Sequence, residues 1–536
     1  MKCTMQNWMT EFPLISGKEY RDPFNDVQLD AVFTAPDGTE RVVPAFWAGE
    51  NVWRVRYASP VIGRHAYRTI CSDAKNPDLH GQEDVVEIAP YTGKNPLFQH
   101  GPLRVSEDRR HFEHLDGTPF FWLGDTWWMG LCKRMHWPGD FRTLTADRVA
   151  KGFSVIQIIA GLYPDMPAFD ERGANEAGFP WEKDYERINP AYFDMADLRM
   201  DWLVRSGLVP CIVGCWGYFL PWMGVEKMKK HWRNLVARYG AYPVVWCLAG
   251  EGTMPYYLSE NKEQDSAFLK KGWTELGAYL HKTDPYHHPV TIHPSGNSRD
   301  TVEDPAVLDF DMLQTGHSDR QSVPNTVELV AKGFNRAPKM PVINSEVCYE
   351  GIGEACRQEV QRLMFWVCVL NGAAGHTYGA NGIWQVNTRE KPYGASPHGM
   401  AWGNTPWEDA YQLPGSAQLG IAKRLLERYD WWRFEPHPEW IEPHWSKENY
   451  FAPYAAGIPG EVRVIFIPLG WSAPIVKEVE KGIRYRAFLS NPTNGDEQEL
   501  GAVVPDGNGD WALPVGENDW RLLPIYQDWV LVLERV

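Results

Sequence analysis

Hydrophobic residues recur with two different periods along the chain. Near its start, segments such as Val27–Phe33 and Trp53–Tyr57 alternate apolar and polar positions, and turn residues separate one segment from the next. Alternation of this kind is typical of strands that bury one face. The pattern returns near the end of the chain, for example in Glu461–Ile467. We therefore predict a small antiparallel β-sandwich at each end, over residues 1–110 and 437–536.

Between these ends, over residues 111–436, continuous apolar runs alternate with amphipathic stretches of helical period. One such stretch, Ala191–Ser206, stops at Gly207, as a helix C-terminus often does. Apolar runs joined by helices predict parallel strands with crossover connections. Eight runs can be counted, so we predict an α/β fold in which a (β/α)8 TIM barrel is flanked by the two sandwiches. The predicted strands are Phe120–Asp125, Phe153–Ile159, Leu208–Val213, Val244–Glu251, Pro289–His293, Asp309–Gln314, Pro341–Glu346 and Ala373–Tyr378.

Two of these runs end in a glutamate, Glu251 after the fourth and Glu346 after the seventh. In a barrel of this kind the functional groups gather at the carboxyl ends of the strands. Two facing carboxylates are what glycosidic bond hydrolysis requires, one as the acid and one to attack or stabilise the sugar cation. Glu350 is a rival to Glu346, but it lies four residues beyond the apolar run. We predict Glu251 and Glu346 as the catalytic pair.

The same argument places polar and aromatic side chains at the predicted mouth of the barrel. We predict that these bind substrate: Asp125, Trp127, Trp128, Gln157, Trp216, His293, Gln314, His317, Tyr349, His376, Tyr378 and Trp384. Structural alternatives exist, since Asp125 could cap a helix, the tryptophans could be wall packing and the histidines could be core residues. The histidines lack the spacing typical of a metal site, so no metal and no cofactor is predicted.

Composition narrows the class of substrate. The formal net charge of −16 argues against nucleic acid as a partner, and 26 tryptophans suit stacking on sugars. The nine cysteines are scattered without metal-type spacing, so we predict that they are reduced. The N-terminus lacks the apolar stretch of a signal peptide, and no segment approaches the ~20 apolar residues needed to cross a bilayer. We expect a cytoplasmic protein that binds a small carbohydrate, with no membrane partner; a homo-oligomer is left open.

Several motifs stand in one order along the chain. They are Phe120–Trp128, Lys151–Phe153, Val245–Glu251, Ser345–Gly351 and Gly372–Gly379. Together they resemble the apiosidase-like glycoside hydrolases, and the resemblance covers nearly the whole chain. It includes an N-terminal sandwich of the DUF5060 type that ends near Arg104, and a C-terminal sandwich of a kind once labelled collagen-binding.

The resemblance implies an acid/base after the fourth strand and a nucleophile after the seventh. It also implies release of a terminal apiose, or a related pentose, from plant-derived glycosides. One motif departs from the family pattern, which ends the fourth strand in Gly-Gly-Asp where this chain has Ala249-Gly250-Glu251. The longer side chain bears on which sugar is accepted more than on the reaction.

A retaining double displacement follows as the expected mechanism. Glu251, desolvated near Trp246 and Trp216, should keep a raised pKa and act as the acid, while Glu346 attacks the anomeric carbon. The long loop from Gly379 to Trp407 should wall one side of the pocket and favour exo action.

Two alternatives stay open at this point. The chain could be a carbohydrate-binding barrel without chemistry. It could also be a metal-dependent barrel hydrolase that uses His293, His317 and Asp319.

Overall fold

The computed structural model describes residues 2–514 and 522–536, and its centre is a parallel eight-stranded barrel. Its strands are β1 (Trp122–Thr126), β2 (Val155–Ile159), β3 (Val209–Val213), β4 (Val245–Cys247), β5 (Val290–Thr291), β6 (Asp311–Gln314), β7 (Val342–Glu346) and β8 (Gly375–Tyr378). Neighbouring strands are paired in parallel from β5 through β1 and β8 to β6. At the remaining seam, the N–H of Asp309 donates to the carbonyl of Val290 at 2.8 Å. The predicted TIM barrel is confirmed.

Seven long helices surround the barrel in the described chain. They are α1 (Gly139–Ala150), α2 (Pro190–Arg205), α3 (Val225–Tyr239), α4 (Lys262–Thr283), α5 (Val323–Asn335), α6 (Gln358–Val369) and α7 (Pro414–Leu426). Short helices at Phe219–Met223 and Trp407–Ala410 lie in loops. The connection from β5 to β6 holds only 3₁₀ turns, Ser298–Asp300 and Pro305–Val307. The expected eight βα units are therefore seven with an α-helix, because this segment is short and interrupted by proline.

Helix α2 shows how local signals set the boundaries. Proline occupies its first turn, and the chain leaves the helix just before Gly207, whose φ of +83° is the left-handed conformation that glycine tolerates best. The helix begins and ends one residue earlier than the predicted Ala191–Ser206. Its inner face buries Phe193 and Leu203.

The N-terminal residues form two facing antiparallel-rich sheets. The larger contains, in spatial order, Lys2–Met5, Glu83–Ala89, Gly63–Cys71, Leu29–Thr34 and Glu40–Pro44, and the smaller contains Thr10–Ile15, Val52–Tyr57 and Phe46–Trp47. Between them, the ring of Phe33 stacks on Tyr57 with 3.7 Å between centroids. A short helix covers Pro23–Asp26 and another covers Pro96–Gln99.

A small three-stranded sheet closes the lower end of the barrel. Its strands are Leu103–Val105, Phe112–His114 and Pro119–Phe120. Phe112 contacts Trp122 at the start of β1 and Phe310 just before β6, with ring centroids 5.4 and 5.0 Å apart. Phe120, predicted as the start of the first barrel strand, belongs to this sheet instead.

The C-terminal residues also form two sheets. The larger contains Glu435–Pro436, Tyr454–Ile458, Val462–Ser472, Leu522–Arg535, Tyr485–Ser490 and Glu497–Ala502, and the smaller contains Ile441–Glu442, Ile475–Val476 and Trp511–Ala512. This region is fastened to the barrel by Arg362 of α6, which donates to both carboxylate oxygens of Asp528 at 2.6 and 2.7 Å. The domain limits of 1–110, 111–436 and 437–536 stay a prediction.

Two further expectations concern the whole chain. Within the described ranges, no helix combines the length and apolarity that crossing a membrane would take. All nine cysteines are free, and all but Cys3 are buried.

Candidate active site

A pocket of about 210 Å³ opens where the carboxyl ends of the barrel strands meet. Its lining comes from the loops that follow β1 to β4 and β6 to β8, so residues far apart in sequence share one cavity. The lining residues are Trp128, Pro164, Asp165, Trp216, Glu251, Met254, Tyr257, Gln314, His317, Glu346, Tyr349, Ile352, Trp384, His398 and Trp402. Both predicted catalytic glutamates face this pocket.

Glu346 is the last residue of β7, and a β-bulge directs it into the pocket. The pairing of β6 with β7 shifts so that Gln314 lies opposite Glu346 while Leu313 lies opposite Asn344. Asn344 points outward and contacts Cys368 of α6. In a regular strand, Glu346 would point outward like Asn344, because side chains two positions apart lie on the same face. The bulge adds Ser345 as an extra residue and so turns Glu346 towards the pocket.

The carboxylate of Glu346 is surrounded by donors. Gln314 Nε2 donates to Oε1 at 3.1 Å, and His317 Nε2 lies 2.8 Å from the same oxygen. His293 Nε2 lies 3.1 Å from Oε2. The backbone N–H of Glu251 donates to Nδ1 of His293 at 3.4 Å, which leaves the ring proton on the nitrogen that faces Glu346.

Glu251 reaches the pocket from a strained loop four residues beyond the end of β4. Its φ of 43° is in the left-handed region. Gly250 precedes it and pairs with Trp216, and a Cβ at position 250 would lie 2.1 Å from the Trp216 ring. Only glycine allows that approach. Gln314 Nε2 donates to Oε1 of Glu251 at 3.0 Å, so one amide nitrogen joins the two glutamates.

The two glutamates have opposite pKa shifts. Burial raises the pKa of Glu251 to about 7, and the charge of Glu346 adds to the rise. Burial also acts on Glu346, but the donors His293 and His317, together with the positive charge of His317, outweigh it and hold the pKa of Glu346 well below its ordinary value. At neutral pH the pair therefore offers one proton donor and one carboxylate.

Six of the predicted binding residues line the pocket. They are Trp128, Trp216, Gln314, His317, Tyr349 and Trp384. The indole N–H of Trp128 donates to the Tyr349 hydroxyl at 2.9 Å, and the Tyr349 ring packs against His317 with 4.8 Å between centroids. These contacts fix the aromatic wall beside Glu346. Trp246, expected beside Glu251, instead packs against Trp232 and donates to Asp284.

Three other predicted residues face the helices and not the pocket. Asp125 is wholly buried, where it accepts from Arg148 of α1 and from the Trp127 indole, each at 2.6 Å. Tyr378 donates to Glu350 at 2.6 Å. Strand alternation explains these positions, because every second side chain of a barrel strand points towards the helices. Asp125 therefore neither lines the pocket nor caps a helix, and Trp127 shares its site.

The remaining predicted residues lie beneath or behind the pocket. Gln157 points into the barrel, where it donates to the Ser345 carbonyl at 3.0 Å. His293 contacts Glu346 from below without lining the cavity. His376 faces outward against Phe365 of α6, and burial lowers its pKa to about 3. None of these three is among the residues that line the cavity, and their contact with substrate stays a prediction.

Sequence reasoning missed seven lining residues. They are Pro164, Asp165, Met254, Tyr257, Ile352, His398 and Trp402. All lie in the βα loops, where the sequence has no hydrophobic periodicity from which the position of a side chain could be predicted. His398 and Trp402 do lie in the loop from Gly379 to Trp407 that was expected to form one wall. Glu350, the rival to Glu346, is buried outside the lining, where it accepts from the N–H of Gly415.

Charge is distributed unevenly in this pocket. Three carboxylates line it, and among the lining residues within the described chain there is no lysine or arginine. In those same residues, no group of three or more His, Cys, Asp or Glu side chains is arranged to hold a metal ion.

Comparison with known proteins identifies the family. A model of the apiosidase-like catalytic domain matches residues 106–433, and a model of a domain of unknown function, DUF5060, matches residues 4–72. Comparison with curated proteins finds no match.

Solved structures share the fold. A glycoside hydrolase superposes with a TM-score of 0.67 at 23% identity, over 83% of this chain and 98% of its own. A family 5 glycoside hydrolase from Bacteroides vulgatus gives 0.67 at 22% identity, over 82% of this chain and 95% of its own. Another Bacteroides vulgatus protein covers all of both chains with a TM-score of 0.72 and 17% identity.

Proposed function

The chain belongs to the apiosidase-like glycoside hydrolases, and from that membership we propose that it is a retaining, exo-acting enzyme that uses Glu251 and Glu346. The observation that carries the proposal is the amide of Gln314. Its nitrogen donates to Glu251 at 3.0 Å and to Glu346 at 3.1 Å. The two carboxylates therefore face one point in the pocket.

The first half of the reaction uses the difference in pKa. Because its pKa is raised to about 7, a substantial share of Glu251 is protonated at neutral pH, and this form gives its proton to the glycosidic oxygen, so the aglycone leaves as an alcohol. Glu346 is ionised, and its carboxylate attacks the anomeric carbon as the glycosidic bond breaks. The product of this half is a glycosyl ester on Glu346, with Glu251 now ionised.

In the second half, Glu251 removes a proton from water, and the resulting hydroxide bonds to the anomeric carbon. The bond to Glu346 breaks, and both carboxyl groups return to their starting states. Two inversions at one carbon retain configuration.

The separation of the carboxylates supports retention. Two oxygens that accept from one nitrogen at 3.0 and 3.1 Å cannot be farther apart than these bonds laid end to end, about 6 Å. Inverting enzymes hold their carboxyl groups ~6.5–9.5 Å apart to leave room for a water, and retaining enzymes hold them ~5–5.5 Å apart. The bridging amide favours the shorter class.

The shape of the site supports action on a chain end. The cavity of about 210 Å³ is walled by Trp128, Trp384 and Trp402 and backed by the closed barrel, which suits one terminal sugar and not a continuous chain. From the family name we propose apiose, or a related pentose, in a plant-derived glycoside as that sugar.

The test is hydrolysis of a panel of aryl glycosides and plant oligosaccharides, apiosides and arabinosides included. We expect the parent enzyme to release one sugar, and Glu251→Gln and Glu346→Gln to lose ~10³-fold or more in kcat on natural substrates. Glu354→Gln is the matched control, since Glu354 is an exposed acid of the β7 loop outside the pocket lining. Full activity in either pocket variant would refute the assignment.

Azide separates the two roles. In Glu251→Ala it should restore turnover of an activated aryl glycoside and give a glycosyl azide of retained configuration, because azide attacks the ester on Glu346. In Glu346→Ala it should give the inverted glycosyl azide, because azide replaces the nucleophile itself. Product configurations read by NMR in the opposite sense would exchange the two assignments.

A further inference from the structure

A third acid, Asp165, lies in the pocket and has no part in the proposed chemistry. It follows β2 by six residues, in the long loop that leads to α2, and it is 7% exposed. Asp165 lines the same pocket as Glu251 and Glu346. Burial raises the pKa of Asp165, and the charge of Glu346 adds to the rise.

The backbone at Asp165 is held in a strained conformation. Its φ of 55° is in the left-handed region, which residues with a Cβ rarely adopt. The Tyr393 hydroxyl contacts the carbonyl of Asp165 at 3.5 Å and that of Pro164 at 3.4 Å. Strain of this kind persists only where surrounding contacts enforce it, and it gathers at functional sites.

Three side chains from two other loops line the pocket together with Asp165. Tyr257 comes from the loop after β4, and His398 and Trp402 come from the loop after β8. Tyr257 packs on His398 with 4.5 Å between ring centroids, and the His398 ring bonds to Ser396 at 2.8 Å. The cluster is therefore assembled by tertiary packing.

The carboxylate has capacity beyond these contacts. An ionised carboxylate can accept about four hydrogen bonds. Other lining groups also lack partners within the described chain, namely the indole N–H of Trp216, the indole N–H of Trp384 and Oε1 of Gln314. Buried polar atoms without partners are costly, and a sugar that brings hydroxyl groups would satisfy them.

We infer that Asp165 is a specificity-determining residue whose carboxylate accepts hydrogen bonds from two hydroxyl groups of the terminal sugar and restricts the pocket to neutral sugars. The inference rests on the proposed glycosidase function. Restriction to neutral sugars follows from charge, because Asp165 is a third carboxylate among lining residues that include no cation of lysine or arginine type in the described chain. A sugar acid would bring a further negative charge into the cavity that already holds the ionised Glu346.

The test compares Asp165→Ala and the isosteric Asp165→Asn with the parent enzyme. The probes are the 4-nitrophenyl glycoside that the parent cleaves fastest, its derivatives lacking one ring hydroxyl at a time, and 4-nitrophenyl glucuronide. Glu390→Gln is the control, since it removes an acid from the exposed part of the β8 loop. Circular dichroism checks folding, and Asp165→Asn keeps the test valid where the alanine variant does not fold.

We expect Asp165→Ala to lose roughly 10- to 100-fold in kcat/KM, the usual worth of a hydrogen bond to a charged group. If Asp165 had only a structural role, the substitution would lower kcat/KM by the same factor for every substrate. A hydroxyl-binding role predicts that two deoxy derivatives are already slow with the parent, and that the variant slows each of them less than it slows the full glycoside. We expect no cleavage of the glucuronide by the parent.

Three results would overturn the inference. The first is a loss in kcat/KM below twofold in Asp165→Ala. The second is that the effect of the substitution and the effect of removing a hydroxyl multiply for every deoxy derivative. The third is cleavage of the glucuronide at a rate close to that of the neutral substrate. A parent that cleaves no glycoside would instead refute the proposed function. Tryptophan fluorescence titration with D-xylose, L-arabinose and D-glucose then tests Asp165 by binding, and equal binding by parent and Asp165→Ala, or none by either, overturns the inference too.

Discussion

Two clusters of acidic side chains lie at the carboxyl ends of the barrel strands, and they are neutralised in different ways. Beneath the loops after β1 and β8, Asp125 is wholly buried against the permanent cation of Arg148. In the pocket, Glu346 faces His293 and His317, and its carboxylate raises the pKa of His317 against the effect of burial. A fixed partner makes an acid structural, whereas titratable partners and an adjacent cavity leave its charge available for chemistry. Position at a strand end is the same in both clusters and does not distinguish them.

The largest expected effect is on stability, and it tests the structural side of the comparison. Arg148→Met leaves Asp125 buried without its cation, which should cost about 3–5 kcal/mol in free energy of unfolding. Urea denaturation measures the loss. Glu346→Gln is the paired variant, and we expect it to change the free energy of unfolding by less than about 1 kcal/mol, because histidines can lose their protons when the charge beside them is removed. Equal losses in free energy of unfolding in the two variants would show that the two clusters do not differ in this way.

The next effect is on pH dependence, and it tests the functional side. Glu251 must carry a proton to act as the acid, so kcat/KM should fall about tenfold per pH unit above pH 7 as that proton is lost. Glu346 must be ionised, and because its pKa is lowered the acidic fall should lie below the ordinary range of a glutamate. A pH profile of the parent and of Glu251→Gln checks both limbs, since the variant should lose the alkaline fall. An alkaline limb that survives in Glu251→Gln would belong to another group.

The smallest effect concerns the amide that joins the two glutamates. Gln314→Leu removes a donor to each carboxylate and should lower kcat roughly tenfold. The hydrogen bond from Gln314 lowers the pKa of Glu251, so its loss should also move the alkaline limb to higher pH. The matched variant is Gln157→Leu, which removes a buried amide that bonds to Ser345 beneath the pocket. If the alkaline limb of the pH profile stays in place in Gln314→Leu, Gln314 contributes only packing to the site.

Much of the fold could be predicted because its signals are local. Apolar runs bounded by turn residues gave eight strands, and the glutamates that end two of these runs reach the pocket. The absent helix between β5 and β6 shows the limit of counting strands, because the connection depends on its length and on proline. Gly207 fixed the end of α2 to within one residue, since its positive φ is a backbone requirement.

The rest of the site depends on contacts that distant segments make. Asp125 reads like Glu346 in the sequence, and only the approach of Arg148, 23 residues later, makes it structural. The bulge at Ser345 reverses an orientation that alternation alone would assign to Glu346. Asp165 carries no local signal at all, since Tyr393 bonds to its carbonyl, and Tyr257 and Trp402 join it in the pocket lining, all from other loops. Loop residues of this kind become visible only when the packing is known.

The small sheet below the barrel has a consequence for the path by which substrate enters and products leave. Phe112, set between Trp122 and Phe310, stops the barrel at one end, so everything that enters or leaves must use the opposite mouth. In a double displacement the aglycone must leave before water can reach the anomeric carbon. The bound sugar lies deeper in the pocket than either of them. Under the proposed mechanism we therefore expect the free sugar to leave last and to inhibit competitively. Any alcohol that reaches the mouth ahead of water becomes a glycosyl acceptor.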